Sequence, residues 1–304
     1  MSLEVRAPDG VPEVVAGDDL AALVLEFLDL TDGDIVAVTS KVVSKSEGRV
    51  RPGDREAAID EETVRVVARR GPTRIVRNRL GLTMAAAGVD TSNVTAGSVV
   101  MLPLDPDASA RVLRHAVHAR SGVRIGVIVT DTAGRAWREG QTDIAIGAAG
   151  LVVAEDFAGH TDPYGNPLAV TLPAVADELA SAAELAQGKL RGRPLAVIRG
   201  RSDLVLPIGQ DGPGATALVR PEGGDLFGFG AREAVVRALA GRQADLAPFG
   251  APATADELEA ALARLPDRTD HTAVAAVCFA HGWRIESWGG AGSDGVCHLS
   301  RVTP

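Results

Sequence analysis

The amino-acid sequence predicts an α+β fold with mixed sheets, and three observations support this prediction. Segments with apolar residues at three- and four-residue spacing alternate with short, nearly continuous apolar runs, which are typical of buried strands. The 304 residues are many for one compact core and suggest one large lobe or two interlocked lobes plus a small appendage. After Pro248 the pattern changes to two helices and two short strands. We therefore expect a body over residues 1–245 and an extension of unassigned role over residues 246–304.

Turn residues and apolar spacing define the elements of the first half. Asp18 and Asp19 precede an apolar-periodic helix that ends near Gly33, because acidic residues favour the first turn of a helix. The β-branched run after it predicts a buried strand that leads into a polar turn around Ser40. Further along we expect a helix over residues 60–70, a short strand over 74–76, a loop too polar for a core over 78–94, a helix over 107–120, and a strand over 123–130 that ends at Asp131 and Thr132.

In the second half of the chain, small residues between 140 and 155 and turn residues between 160 and 168 interrupt the pattern of helices and strands. Gly188 ends a helix over residues 174–188, since glycine is favoured directly after the last helical residue. Glycine and proline predict a flexible loop over residues 207–214. The other expected elements are a strand over 194–199, helices over 231–242, 254–265 and 271–281, and strands around 283–288 and 295–302.

Composition and charge exclude several classes of protein. With 46% hydrophobic and 23% charged residues, the chain has the composition of a folded protein and not of a disordered one. Forty acidic against 31 basic residues give a net charge of -9, which repels the phosphate backbone of nucleic acids. No apolar run approaches the roughly 20 residues that span a bilayer, and the N-terminal residues lack a signal-peptide pattern. The two cysteines do not suggest a disulfide framework, so we expect a cytoplasmic protein without nucleic-acid or membrane partners.

Lysine is rare in this chain. It occurs only at Lys41, Lys45 and Lys189, whereas Arg supplies the remaining basic positions. The wide, planar guanidinium group cannot replace a compact ammonium group among phosphate oxygens, so each retained lysine is a functional candidate. Ser40, Lys41 and Lys45 together offer one hydroxyl and two ammonium groups, which suit the neutralisation of β- and γ-phosphates. A solvated loop is the alternative interpretation.

The common nucleotide, protease and zinc signatures are absent from the sequence, so any chemistry uses another arrangement. Asp131 and Thr132 follow a predicted strand, and ligands of α/β proteins lie beyond the carboxyl ends of strands. A carboxylate beside a hydroxyl suits Mg²⁺ or Mn²⁺, which prefer hard oxygen ligands. Asp90 offers a second carboxylate in a loop. For both aspartates the alternative is a residue that starts a turn.

Several ungapped motifs occur in a fixed order along the chain. They are TSKVVSKSEGR at residues 39–49, AGVDTSNV at 87–94, VTDTAGRAWREGQTD at 129–143 and DPYGNPL at 162–168. Together with shorter matches between residues 10 and 240, these motifs closely resemble the γ-glutamyl ligases of the deazaflavin coenzyme F420.

The resemblance implies an intertwined, two-lobed ligase fold and a homodimer. It implies a GTP-dependent enzyme that adds L-glutamate to the phospholactate end of the coenzyme precursor through an acyl phosphate, with release of GDP and phosphate. The implied cofactors are Mg²⁺ or Mn²⁺, up to two per site, and K⁺. The chemistry of phosphoryl transfer is consistent with this implied reaction, because it requires positioning and charge neutralisation more than covalent help from the protein.

The resemblance also assigns roles to individual residues, and Lys45 and Asp131 are the implied catalytic residues. The implied metal ligands are Asp90, Asp131 and Thr132, and the implied GTP contacts are Val11, Pro12, Glu13, Val14, Ser40, Lys45 and Asn93. The loop Gly209 to Ala215 aligns loosely with a nucleotide-contacting loop of the family. The alternative functions are a metal-dependent phosphohydrolase, an amide ligase acting on another acid, and a non-catalytic GTP-binding module.

Four further residues near the motifs are candidates for substrate contacts. Trp137 and Tyr164 could stack on a deazaflavin or guanine ring, and the alternative is an aromatic cover for the core. Arg135 and Arg138 could bind a carboxylate or phosphate through their planar forks, and the alternative is an exposed Arg on a helix.

Overall fold

A computed structural model describes residues 2–288 and 298–302 of the chain. The α-helices of these residues are α1 (Leu20–Phe27), α2 (Ser40–Ser46), α3 (Arg55–Glu62), α4 (Pro106–Ser121), α5 (Val175–Gln187), α6 (Ala231–Ala240), α7 (Ala255–Leu262) and α8 (His271–Ala280). The strands are β1 (Glu4–Arg6), β2 (Ile35–Thr39), β3 (Val50–Pro52), β4 (Thr63–Arg70), β5 (Thr73–Asn78), β6 (Thr83–Ala85), β7 (Ser98–Val100), β8 (Gly126–Gly134), β9 (Gln141–Ala149), β10 (Leu195–Arg199), β11 (Trp283–Ser287) and β12 (His298–Arg301).

The chain divides into two compact units. The first contains the residues up to Val64 together with Arg77–Val219, and the second contains Arg65–Val76 and the residues from Arg220 onward. The second unit thus includes most of β4 and β5, which precede much of the first unit in sequence. The boundary expected between residues 245 and 246 lies inside the second unit.

A five-stranded mixed sheet forms the centre of the first unit, in the order β1-β10-β2-β8-β9. Strands β2 and β8 are parallel, with Val36 opposite Val127, whereas the other neighbouring pairs are antiparallel. Both pairing types within one sheet, with helices on both sides, confirm the predicted α+β fold with mixed sheets.

Each face of this sheet buries its own apolar core, because successive side chains of a strand point to opposite faces. On β2, Val36 and Val38 pack with residues of α1 and α4, including Val24 and Leu113. The alternate residues of β2, Ile35 and Ala37, face the other core, which contains α5. That core includes Ile35, Ala37, Ile128, Ala176 and Leu179.

Polar side chains of α5 hydrogen-bond to the backbone of the edge strand β9. The Asp177 carboxylate accepts a hydrogen bond from the amide of Ala145 (2.9 Å), and the Ser181 hydroxyl donates to the carbonyl of Asp143 (2.9 Å). An edge strand otherwise presents unpaired backbone groups. This arrangement explains the burial of Asp177, and burial raises the pKa of its carboxyl group.

The helix predicted over residues 60–70 is wrong. Helix α3 begins at Arg55 because the Asp54 carboxylate accepts a hydrogen bond from the amide of Ala57 (2.9 Å), which caps the helix. It ends at Glu62, where a β-branched run starts and forms β4. β-Branched side chains are stiff in helices and pack well in strands, so the local preference favours the strand.

Three other expectations need correction. A short helix, α2, replaces the polar turn around Ser40. The small-residue segment after residue 140 contains the strand β9, and β8 continues past Asp131 to Gly134 because β9 pairs with it. Parts of the loop over residues 78–94 are buried, including Met84.

The loop over residues 207–214 is held in place by α4 and is not a free segment. The fully buried Arg114 donates hydrogen bonds to the carbonyls of Leu206, Pro207 and Gln210 and to the carboxylate of Asp211, at 2.8–3.0 Å. The buried carboxylate of Asp107, on the same helix, accepts hydrogen bonds from the amides of Ala215 and Thr216 (2.7 and 3.3 Å).

The second unit contains the expected C-terminal helices α7 and α8 and the antiparallel pair β11 and β12. Its core contains Leu258, Leu262, Val274 and Cys278. A chain of ring contacts joins Phe229, Phe249 and Phe279. The strand expected around residues 295–302 is described only from residue 298, because residues 295–297 lie outside the described ranges.

Within the described part of the chain, none of the helices combines the length and the apolar character needed to cross a membrane.

Candidate active site

The candidate site begins where β2 ends and α2 starts. Thr39, the last residue of β2, lies opposite Thr130 of the parallel strand β8. Ser40 opens α2, and Asp131 is the first residue of β8 beyond this pairing. The Ser40 hydroxyl donates a hydrogen bond to the Asp131 carboxylate (2.7 Å). The parallel pair therefore brings together two residues that are 91 positions apart in sequence.

Asp131 lies in an environment that disfavours its ionised form. Desolvation by burial, together with the negative charge of Asp143, raises the pKa of Asp131 to about 6. The hydrogen bond from Ser40 and the charge of Lys41 act in the opposite direction but do not cancel these effects. A positive charge added beside Asp131 would lower this pKa and favour the carboxylate.

The neighbouring residue, Thr132, takes part in a different set of contacts. Its hydroxyl donates to Asp143 on the adjacent strand β9 (2.7 Å) and accepts a hydrogen bond from the ammonium group of Lys189. Lys189 also forms ion pairs with Asp143 (3.5 Å) and Glu184 (3.2 Å). Burial lowers the pKa of Lys189, but these two carboxylates outweigh burial and raise it, so the ammonium group stays charged.

Lys41 connects α2 to the loop that carries Asp90. Its ammonium group donates to the Asp90 carboxylate (2.7 Å), to the Ser92 hydroxyl (2.7 Å) and to the Ser92 carbonyl (3.0 Å). Backbone hydrogen bonds between Asp90 and Val100 fix the start of this loop. Burial raises the pKa of Asp90, but the hydrogen bonds from Lys41 and Ser92 lower it to about 2, so Asp90 is ionised.

Lys45 lies one helical turn after Lys41 and binds the segment of residues 11–14. Only 8% of Lys45 is exposed, and its ammonium group donates to the Glu13 carboxylate. Val14, next to Glu13, is buried in the core that contains α1 and α4. All three lysines of the chain thus form ion pairs around this end of the sheet.

The structure joins several of the predicted site residues in direct contact. Ser40 contacts Asp131, and Lys45 contacts Glu13 of the predicted GTP segment. Asn93 directly follows Ser92, which accepts hydrogen bonds from Lys41, and Asn93 has a left-handed backbone with φ of 54°. This conformation is one that Asn tolerates better than most residues.

Other candidates lie apart from Asp131. Thr132 points to the opposite face of β8, because successive side chains of a strand alternate. The loop Gly209 to Ala215 is bound by α4, as described above. Trp137 and Tyr164 are 86% and 92% exposed, so the alternative that they cover the core is wrong. Arg135 and Arg138 lie in the turn between β8 and β9 and not on a helix.

The oxygen donors of the site suit a hard divalent cation only in part. Asp90 and Asp131 supply the carboxylates that Mg²⁺ and Mn²⁺ prefer, and a cation beside Asp131 would offset the burial that raises the pKa of this group. Among residues 2–288 and 298–302, no group of three or more His, Cys, Asp or Glu side chains could hold a metal ion. The residues therefore fit a cation held by one or two carboxylates and by phosphate oxygens of a nucleotide, and they do not fit a cage made by the protein alone.

Sequence reasoning did not single out Asp143 or Ser92 as site residues, or assign a contact to Lys189. Asp143 pairs with Thr132 across β8 and β9, and its importance was hidden because β9 was not predicted as a strand. The rarity of lysine was a signal for Lys41 and Lys189, and Lys41 also lies within the motif of residues 39–49.

Comparisons with known proteins agree with the motifs. Residues 10–200 match the family described as F420-0:Gamma-glutamyl ligase. The chain is 39% identical over 220 residues to the coenzyme F420:L-glutamate ligase of Archaeoglobus fulgidus, covering 66% of this chain and 88% of that protein. It is 40% identical over 237 residues to the protein of the same name from Methanopyrus kandleri, covering 71% and 93%. For Halobacterium salinarum the identity is 41% over 221 residues, covering 64% and 85%. The chain therefore belongs to the F420-0:gamma-glutamyl ligase family.

Proposed function

We propose that this chain is a ligase that adds L-glutamate to the phospholactate end of the deazaflavin coenzyme F420 precursor, with GTP as co-substrate. Membership of the family and the shared name of three relatives support glutamate ligation in the biosynthesis of this coenzyme. The dependence on GTP and on a divalent cation rests on the resemblance of the motifs and on the chemistry of the site.

One structural observation carries the proposal: Ser40, which contacts Asp131, opens the same short helix, α2, that carries the ammonium groups of Lys41 and Lys45. A nucleotide triphosphate requires several positive charges near its β- and γ-phosphates. In this proposal Lys45 leaves Glu13 and binds phosphate oxygens, and Ser40 and Asn93 complete the nucleotide contacts together with residues 11–14. Lys41 holds the Asp90 loop beside α2.

A carboxylate is a poor electrophile until it carries a leaving group. In the proposed reaction an oxygen of the acceptor carboxylate attacks the γ-phosphorus of GTP, and the bond from that phosphorus to the bridging oxygen breaks to release GDP. The amine of glutamate then attacks the acyl carbon, phosphate leaves with the electron pair of the carbon–oxygen bond, and the nitrogen loses a proton. Asp90 and Asp131 would hold Mg²⁺ or Mn²⁺, which supplies charge neutralisation at the phosphoryl group.

The decisive assay gives the purified protein GTP, Mn²⁺, L-glutamate and the precursor without its glutamate tail. We expect a product heavier by one or more glutamyl units, with GDP released in step. Omission of each substrate separates the alternatives, because a phosphohydrolase releases GDP or phosphate without glutamate, and a binding module releases nothing. Equal GTP consumption without glutamate and acceptor, with no glutamyl adduct, would replace the ligase proposal with the hydrolase. Activity with a different acid in place of the precursor would support the alternative function, an amide ligase that acts on another acid.

Substitution of Asp131 links this assay to the site. Asp131→Asn keeps the shape of the side chain and removes the charge that would hold a cation, so we expect turnover to fall to background while circular dichroism stays unchanged. Asp29→Asn is the matched control, since Asp29 is an exposed aspartate of the same unit. Near-normal turnover of Asp131→Asn would remove Asp131 from the proposed centre.

We also propose a homodimer, and an exposed arm supports it. The segments 155–160 and 168–173 run antiparallel and are joined by backbone hydrogen bonds, such as the one from Phe157 to Thr171 (3.0 Å). Tyr164 and Val170 are each 92% exposed, and Leu172 is exposed as well. A two-stranded ribbon is marginally stable alone, so the arm requires a surface to pack on, and we assign that surface to a second copy of the chain.

Light scattering coupled to gel filtration tests the dimer. We expect the double variant Val170→Ser and Leu172→Ser to shift the chain from the mass of a dimer towards that of a monomer. Val112→Ser is the control, because Val112 is an exposed valine on α4, outside the arm. A monomeric wild-type protein would contradict the proposal. It would also be contradicted if the control Val112→Ser shifted the mass as much as the double variant does.

A further inference from the structure

The turn between β8 and β9 presents a tryptophan to solvent in an unfavourable backbone conformation. Trp137 has φ of 63°, in the left-handed region that L residues with large side chains avoid. Its side chain is among the most exposed apolar groups of the described residues. An aromatic residue that is both strained and exposed has a cost to folding without the usual benefit of burial, and such residues concentrate at functional sites.

The turn is itself well fixed. Arg135 donates a hydrogen bond from its guanidinium group to the carbonyl of Glu139 (2.7 Å), and Gly134 and Gln141 form the last pair of the two strands. The side chain of Trp137 is thus presented by a turn that this hydrogen bond closes, at the end of a paired hairpin. A rigid support is what a binding platform requires, because little conformational freedom is lost when a ligand arrives.

The hairpin also connects Trp137 to the candidate centre. Gly134 follows Asp131 by three residues of extended strand, which corresponds to about 10 Å. Ser40 of α2 contacts Asp131 where the pairing of β2 with β8 ends, and the hairpin continues from Asp131 beyond this pairing. In-line phosphoryl transfer places the attacking group and the leaving nucleotide on opposite sides of the transferred phosphorus. The nucleotide contacts of the proposed function come from α2, Asn93 and residues 11–14 and include no residue of the turn 135–140, so this turn is left for the acceptor.

We propose that Trp137 is the platform on which the planar ring of the acceptor stacks, with Arg138 beside its phosphate group. This inference rests on the proposed function. The ring and the reactive carboxylate lie at opposite ends of the acceptor, just as Trp137 lies in the turn after β8 while Asp131 lies within that strand. A planar heteroaromatic ring suits an indole face, and an anionic tail suits the exposed guanidinium group next to it.

Tryptophan fluorescence tests the stacking directly. The chain contains three tryptophans, so the variant Trp283→Phe with Trp288→Phe retains Trp137 alone. We expect the tail-less deazaflavin precursor to quench its emission in a saturable manner, and GTP alone to leave the emission unchanged. Quenching by GTP but not by the precursor would assign Trp137 to the guanine base. A change with protein concentration, without ligand, would assign it to contact with a second copy. Either result overturns the inference.

Kinetics supply the second measurement. Trp137→Ala should raise the KM for the precursor about tenfold or more, because stacking on the indole is lost, with much smaller changes in kcat and in the KM for GTP and glutamate. Trp137→Phe should restore most of the loss, and Trp283→Phe is the control. If Trp137→Ala fails to fold, the difference in precursor quenching between wild type and Trp137→Phe tests the stacking role instead. Unchanged precursor kinetics in an active Trp137→Ala enzyme would refute the stacking role, whereas a wild-type protein without glutamyl product would refute the proposed function.

Discussion

Lys45 is buried on α2 with its ammonium group against Glu13, and its size is as important as its charge. We expect Lys45→Arg to weaken GTP binding about tenfold or more, because a charged hydrogen bond is worth about 1.5–3 kcal/mol and the guanidinium fork does not fit the place of a compact ammonium group. Calorimetry with GTP in the presence of Mn²⁺ measures the affinity. Arg51→Lys, which alters an exposed ion pair with Glu61, is the control. Unchanged affinity in Lys45→Arg would mean that Lys45 does not bind phosphate.

The raised pKa of Asp131 predicts a dependence of stability on pH. Between the ordinary pKa of 3.8 and the folded-state value of about 6, the folded protein binds more protons at Asp131 than the unfolded chain does. This group therefore stabilises the fold at low pH, and that contribution is lost as the pH rises through about 6. Asp131→Asn cannot ionise at this position. The melting temperature of Asp131→Asn minus that of wild type should therefore be larger at pH 7 than at pH 4.

Thermal unfolding in buffer with a metal chelator measures this difference. Asp29→Asn, at an exposed aspartate of the same unit, is the control. Addition of Mn²⁺ and GTP should then stabilise wild type more than Asp131→Asn, since a ligand that binds only the folded protein raises its stability. An advantage of Asp131→Asn that is the same at pH 4 and pH 7 would contradict the assigned environment of Asp131.

Single residues were predictable where their chemistry was unusual for this chain. The three lysines were noticed because the sequence otherwise uses Arg, and each of them contacts a carboxylate near the end of β2 or β8. Asp143 was missed because its role depends on pairing between strands, and no local pattern encodes which residue of β9 lies opposite Thr132. The orientation of Thr132 on the opposite face of β8 from Asp131 could not be predicted for the same reason.

At the scale of elements, periodic helices were predicted well. Helices α4 and α5 agree with the expected ranges within one or two residues, because apolar spacing defines both, Asp105 caps the start of α4, and a glycine follows the end of each helix. Strand β9 was missed because alanine and glycine have low strand preference, and only its pairing with β8 and the hydrogen bonds from α5 make it a strand. Tertiary contacts therefore decided where local preference was weak.

The loop over residues 207–214 illustrates the same point and leads to a prediction. Arg114 is fully buried and donates hydrogen bonds to three carbonyl groups of that loop and the residue before it. Removal of one partner of a buried ion pair costs about 3–5 kcal/mol. We therefore expect Arg114→Met to lower the free energy of unfolding by about that amount, and hydrogen exchange to accelerate over residues 206–211.

Denaturant unfolding and hydrogen-exchange mass spectrometry provide the two measurements. Arg111→Met, on the exposed side of the same helix, should change the free energy of unfolding by at most about 0.5 kcal/mol. A loss of stability in Arg114→Met without faster exchange in the loop would show that Arg114 supports the helix and does not hold the loop.

The whole molecule divides at a place that sequence order alone conceals. The change of pattern after Pro248 marks the C-terminal helices, but the compact unit that contains them begins at Arg220 and also takes in the distant segment Arg65–Val76. Hydrogen bonds join that segment to residues after 220, as between the amide of Gly230 and the carbonyl of Val67 (2.8 Å). No local sequence pattern indicates that the segment Arg65–Val76, which lies early in the chain, belongs to the second unit.

This division predicts the result of a truncation at the expected boundary. A chain that ends at residue 245 retains α6 and Phe229 but loses α8 and Phe249, their partners in the second unit. Because this unit is small, loss of half of its core should unfold what remains of it, so we expect limited proteolysis within residues 220–245 and a lower melting temperature than for the full chain. Mass spectrometry of the fragments locates the cleavage sites. If the truncated chain keeps residues 220–245 protected and melts like the full chain, residues 1–245 form an independent body and the boundary expected from the sequence is the correct one.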